Sequence, residues 1–89
     1  MYYERRDNIE IKIIGRNKKD YKKVKKELIK IADSEKMNIE VKEINDNINI
    51  RKYKVLQTPT LVINDEYKYD LKKIDYNILK RLVLFCSLV

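Results

Sequence analysis

Histidine and tryptophan are absent from these 89 residues, and cysteine, proline and glycine occur once each. Each shortage removes a class of chemistry. One cysteine, Cys86, cannot close an internal disulfide, so the chain lacks the covalent staple of small secreted domains and a reducing, cytoplasmic setting is expected. Without histidine, and with a single thiol, the usual ligand sets for zinc and haem are missing, so no cofactor and no metal is expected, although a carboxylate site for a hard cation stays open. No stretch approaches the roughly 18 apolar residues of a spanning helix. Residues Met1 to Asn8 are polar and charged, without the apolar centre of a secretion signal. Nor are there repeats or Gly/Ser-rich or Pro-rich linkers. The expected organisation is a polar segment, residues 1–8, followed by one domain, residues 9–89, a length that fits one hydrophobic core.

Charge is plentiful. Lysine and arginine number 21 against 14 acidic residues, a net +7, and 39% of the chain is charged where about a quarter is usual. Such a surface draws nucleic acid, anionic membrane or an acidic protein without choosing among them. The accompanying wealth of Ile, Asn and Tyr is also what an AT-rich coding sequence produces, so part of the charge needs no ligand to explain it.

The apolar residues fall into a clear order of elements. Ile9, Ile11 and Ile13 alternate with Glu10 and Lys12, the period of a strand, and Gly15 closes the run. Asn17 is placed to cap a helix, with Asp20 three residues on, and Tyr21, Val24, Leu28, Ile31 and Ala32 recur at helical spacing until Lys36. Ile39, Val41 and Ile44 predict a second strand, parallel to the first because a long helix joins them. Residues 46–54 read as a short helix. Thr60 to Ile63 is β-branched and apolar on both faces, as a central strand is. Asn64, Asp65 and Glu66 predict a tight turn into an edge strand through Tyr67, Tyr69 and Leu71. Asp75 then caps a final helix with Ile78, Leu79, Leu82, Val83, Cys86 and Val89 on a broad apolar stripe.

This is an α/β chain in the order βαβαββα, a four-stranded mixed sheet with helices on both faces. The order, together with Gln57-Thr58-Pro59-Thr60-Leu61 at the mouth of the third strand, resembles the thioredoxin-like superfamily and its cis-proline loop. A proline entering a central strand removes a ladder donor and is rare there. By this resemblance the Thr58-Pro59 bond is expected to be cis. The match with small, glutaredoxin-sized archaeal and bacterial thioredoxins runs from Ile9 to Val83. Those proteins carry Cys-x-x-Cys at the start of the long helix, where the dipole lowers the thiol pKa. Here Lys18 and Tyr21 stand at the two cysteine positions. Dithiol exchange needs one thiolate to attack and a second thiol to resolve, and neither residue does either. The resemblance therefore implies no enzyme activity, and a binding or regulatory module that uses Arg16, Asn17, Lys18, Tyr21, Thr58 and Pro59 as a partner groove. A second resemblance, to the KaiB clock-protein family, rests on Lys54 to Leu61 and on Asp70-Leu71 and implies a signalling regulator.

Three other features bear on partners. Lys18, Lys19, Lys22, Lys23 and Lys26 predict an anion-binding helix face suited to non-specific nucleic-acid contact, or a merely solvated one. Tyr67 and Tyr69 share a strand face, where half-buried packing is the ordinary use. The apolar tail from Leu82 to Val89 is wider than one helix stripe requires, which predicts cover for a sheet edge or a homodimer contact. Cys86, on that stripe, reads as a small buried hydrophobe.

Overall fold

A computed structural model of the chain describes residues 8–53 and 59–87. Its elements are β1 (Asn8–Ile14), α1 (Lys18–Glu35), β2 (Asn38–Ile44), α2 (Asn47–Lys52), β3 (Thr60–Ile63), β4 (Tyr67–Asp70), a 3₁₀ turn (Leu71–Lys73) and α3 (Tyr76–Ser87). The sheet order is β2-β1-β3-β4. β1 and β2 are parallel and in register from Asn8 opposite Asn38 to Ile14 opposite Ile44. β3 runs antiparallel to β1, with Ile14 opposite Thr60, and β4 antiparallel to β3.

The two-residue period of β1 separates two chemistries. Ile9, Ile11 and Ile13 point to one side, where they meet Val24, Leu28 and Ile31 of α1, Leu61 and Ile63 of β3, and Leu79, Val83 and Cys86 of α3. Most of these side chains are fully buried. Each aliphatic group removed from water there contributes about 1.5–3 kcal/mol, which is what holds α1 and α3 on this face. Tyr67 and Tyr69 are part-buried against the same core. Cys86 is 2% exposed within it.

The turn into β4 shows how local chemistry sets topology. Asn64 and Asp65 both have positive φ, 54° and 56°, as type I′ geometry demands at both central positions, and the Glu66 amide donates to the Ile63 carbonyl at 3.1 Å. Asn64 also extends the pairing of β1 with β3. Its amide donates to the Glu10 carbonyl at 2.7 Å, and its side-chain Oδ1 accepts from the Glu10 amide at 3.0 Å.

The opposite face of β1 is not the solvated surface that alternating Glu10 and Lys12 predict. Only 13% of the Lys12 side chain is exposed. Its Nζ donates to Asp65 Oδ1 at 2.7 Å, lies 3.1 Å from Glu10 Oε1 and donates to the Tyr53 hydroxyl. Tyr53 is the C-terminal cap of α2, and its carbonyl accepts from Lys68 Nζ at 2.7 Å. No residue of α2 itself is fully buried, and polar bonds attach this end of the helix to the sheet. Asp65, then Tyr53, hold the Lys12 amine above the usual lysine value, against the opposing effect of burial. Lys12 in turn holds the Asp65 carboxyl below its usual range.

The sign of the linkage is different at each end. Lys12 stabilises the fold fully below the ordinary lysine pKa and loses that effect as pH climbs through its raised value. Asp65 stabilises above the ordinary carboxylate pKa and loses its effect as pH falls through the lowered value. The stability difference between the native chain and Asp65→Asn is therefore expected to be small and constant between about pH 5 and 9, and to shrink below about pH 4. Urea unfolding across that range measures it, and a difference that grew on acidification would contradict the pairing.

Candidate functional site at the start of the first helix

Asn17 terminates the loop after β1 in extended conformation, φ −91° and ψ 112°, and its Oδ1 accepts from the Lys19 amide at 2.9 Å. This satisfies one of the unpaired amides that every helix start exposes. The Gly15 amide donates to the Ile44 carbonyl at 3.0 Å, so the parallel ladder continues one step and the loop leaves from the sheet's edge of order. The Arg16 guanidinium donates to Asn47 Oδ1, which ties the loop to the start of α2.

Across the sheet, the pairing of Ile14 with Thr60 sets Pro59 beside Gly15. Pro59 is buried. Its carbonyl accepts from the Leu71 amide at 3.1 Å, so the 3₁₀ turn packs against the proline. Asp70 caps that turn by accepting from the Lys72 amide at 3.0 Å. Gly15, Arg16, Asn17, Asp20, Pro59 and Lys72 enclose a groove of about 260 Å³. It continues into a trough of about 150 Å³ in which Asp20, Pro59 and Lys72 recur, with Val24, Leu71 and Ile74 as its apolar part and Lys23 and Glu27 on the rim.

Arg16, Asn17 and Pro59 thus meet as the sequence predicts. Thr58, and with it the geometry of the Thr58-Pro59 bond, lies outside the described residues. Lys18 and Tyr21 are not among the groove's described lining. Two residues along α1 rotate the side chain by about 200°, so Lys18 and Asp20 leave the helix start on different sides, and Asp20 is the one that lines the groove. Lys18 is the first helical residue and is exposed, while Tyr21 is part-buried against the core with Lys25 Nζ 5.6 Å from its ring centre. The sequence reading missed Asp20 and Lys72 as groove residues. Asp20 was accessible from a helical projection of Val24 and Glu27, whereas Lys72 arrives by a contact with Pro59 that no local pattern announces.

Four of the five lysines expected on one helix face, Lys19, Lys22, Lys23 and Lys26, lie together. Lys19, Lys22, Lys23, Lys26 and Lys30 surround a shallow concavity with Glu27, and Lys18 stands apart from it. Among the described residues, no three His, Cys, Asp or Glu side chains are grouped to hold a metal ion, and no helix is long and apolar enough to cross a membrane.

The thioredoxin-domain family model matches residues 9–81. The chain belongs to that family. Its four-stranded mixed sheet in the order β2-β1-β3-β4, with helices packed on it, is consistent with a thioredoxin-like fold. No curated protein and no solved structure matches the chain.

Removal of the Asn17 side chain tests the construction of the helix start. Asn17→Ala is expected to lower stability by about 1 kcal/mol, and Asn17→Asp to restore most of it, in urea unfolding. Equal stability of all three chains would mean that the cap does not hold α1.

Proposed function

We propose that this thioredoxin-like domain carries out no dithiol chemistry and works, in a reducing cytoplasmic setting, as a binding module whose groove beside Pro59 holds a segment of a partner protein. The observation that carries this reading is a proline-walled groove at the start of α1 in a chain with Lys18 and Tyr21 at the cysteine positions. Cys86, 2% exposed in the core, is poorly placed to supply the missing thiolate.

The groove's composition supports a protein ligand. Val24 and Leu71 are almost wholly buried at its apolar floor, and Ile74 is part-buried beside them. Charged side chains of both signs, Lys23, Lys72, Asp20 and Glu27, form the rim. A mixed apolar and charged lining of this kind suits a peptide segment, which offers both kinds of group. Arg16 and Lys72 outnumber Asp20 in the part nearest Pro59, which favours an acidic or carboxylate-bearing segment there. Among the described residues of α3, Ile78 and Phe85 are exposed large apolar side chains, and a contact between two copies of the chain would rest on them.

Two measurements test the reading together. Thiol-driven reduction of insulin by the native chain is expected to run no faster than the blank, with or without Cys86→Ser. Capture from nuclease-treated lysate is expected to retain a protein that is lost with Arg16→Glu/Lys72→Glu. Disulfide turnover above the blank, or identical capture by native and groove-altered chains, would overturn it.

A further inference from the structure

The outer face of α1 carries a second surface, which shares Lys23 and Glu27 with the rim of the trough. Lys19, Lys22, Lys26 and Lys30 follow one another at intervals of three and four, with Lys23 beside Lys22, so the five form one row about 16 Å long on the side of the helix away from Val24, Leu28 and Ile31. All five are exposed. Among the described residues none of them has a carboxylate within ion-pair distance, although Glu10, Lys12, Lys42, Asp65, Lys80 and Glu35 all make such pairs elsewhere. Glu27 is the one acid in the concavity they line.

Fold stability does not account for this arrangement. A helix favours anions at its start and cations at its end. α1 has Lys18 and Lys19 against Asp20 in its first turn and no basic residue in its last, where Asp33 and Glu35 lie instead. The charge order therefore opposes the helix dipole, and mutual repulsion of neighbouring lysines adds to the cost.

We infer that the lysine row of α1 is a docking surface for duplex DNA, held through its phosphates without regard to base sequence. Complementary charge calls for an anionic occupant, and the kind of side chain narrows it. Protein interfaces are anchored by apolar or aromatic groups in a desolvated centre, and the row offers only lysine stems around Glu27. Single strands bind by stacking bases on aromatic side chains, and no aromatic residue lines the concavity. Duplex RNA is distinguished through its 2′-hydroxyls, for which the concavity provides no hydroxyl or amide side chain. Compact ammonium groups in a straight row match a duplex phosphate backbone.

Fluorescence anisotropy of the whole chain with labelled 20-base-pair DNA duplexes of two unrelated sequences, between about 20 and 200 mM NaCl, tests the proposal. Equal affinity for the two duplexes is expected, with log K against log salt falling at a slope of about −4.5 if all five lysines meet phosphates. Lys22→Gln/Lys26→Gln/Lys30→Gln is expected to make that slope shallower by about 3 and to weaken binding at low salt at least tenfold, with helical circular dichroism unchanged. Lys52→Gln/Lys73→Gln/Arg81→Gln removes the same charge from exposed sites elsewhere and is expected to change the slope by less than about 1. The proposal is overturned by absence of binding at the lowest salt, by equal effects of the two triple variants, or by tighter binding of a duplex RNA, a single strand or a polyglutamate of equal charge.

Discussion

Ile14 of β1 lies opposite Thr60 of β3, and the register of that pair decides where everything else can go. Because β3 begins there, the residue before it, Pro59, falls beside Gly15 and the start of α1. A shift of one residue would turn Val62 toward the α1 and α3 core and bring Leu61 and Ile63 to the charged face with Lys12. The apolar content of β3, buried at all four positions, holds the register from both sides. The Asn64 to Glu10 bonds pin it at the far end. The groove is thus a consequence of strand pairing, set before any groove residue is chosen.

α1 then serves three surfaces with one helix. Val24, Leu28 and Ile31 fill the core, Asp20, Val24 and Glu27 line the trough beside Pro59, and the lysine row faces outward. These surfaces lie at different angles around a single axis, which is why the residues serving them interleave in the sequence. The inner face is fixed by burial. The outer one is free to carry charge that the helix dipole disfavours, and its composition is informative for that reason.

Much of this was legible in the sequence. The alternation of Ile9, Ile11 and Ile13, the Asn17 cap, the hairpin turn at Asn64 and the Asp75 cap, which accepts from the Ile78 amide at 2.8 Å, are local signals with local causes. What escaped depends on distance along the chain. Lys12 meets Tyr53 and Asp65 across separations of 41 and 53 residues, so a strand position that alternates like a solvated one is mostly buried in a polar network. Asp20, two residues on from the position aligned with a cysteine, lines the groove as well, and only the helical projection from Val24 and Glu27 points to it. Lys72 joins only because the Leu71 amide reaches the Pro59 carbonyl.

The central claim is that the framework of a dithiol site has been kept while its reagents have been replaced. Lys18 and Tyr21 lie at the first and fourth helical positions, a separation that a disulfide spans. The direct measurement is to install Lys18→Cys with Tyr21→Cys, with Cys86→Ser to remove the buried thiol, and to follow both disulfide formation by mass and thiol-driven reduction of insulin. The account predicts that the new pair oxidises readily and that reduction appears at a rate the native chain does not reach. A native chain that already reduces insulin, or a new pair that neither closes nor reacts, would contradict it.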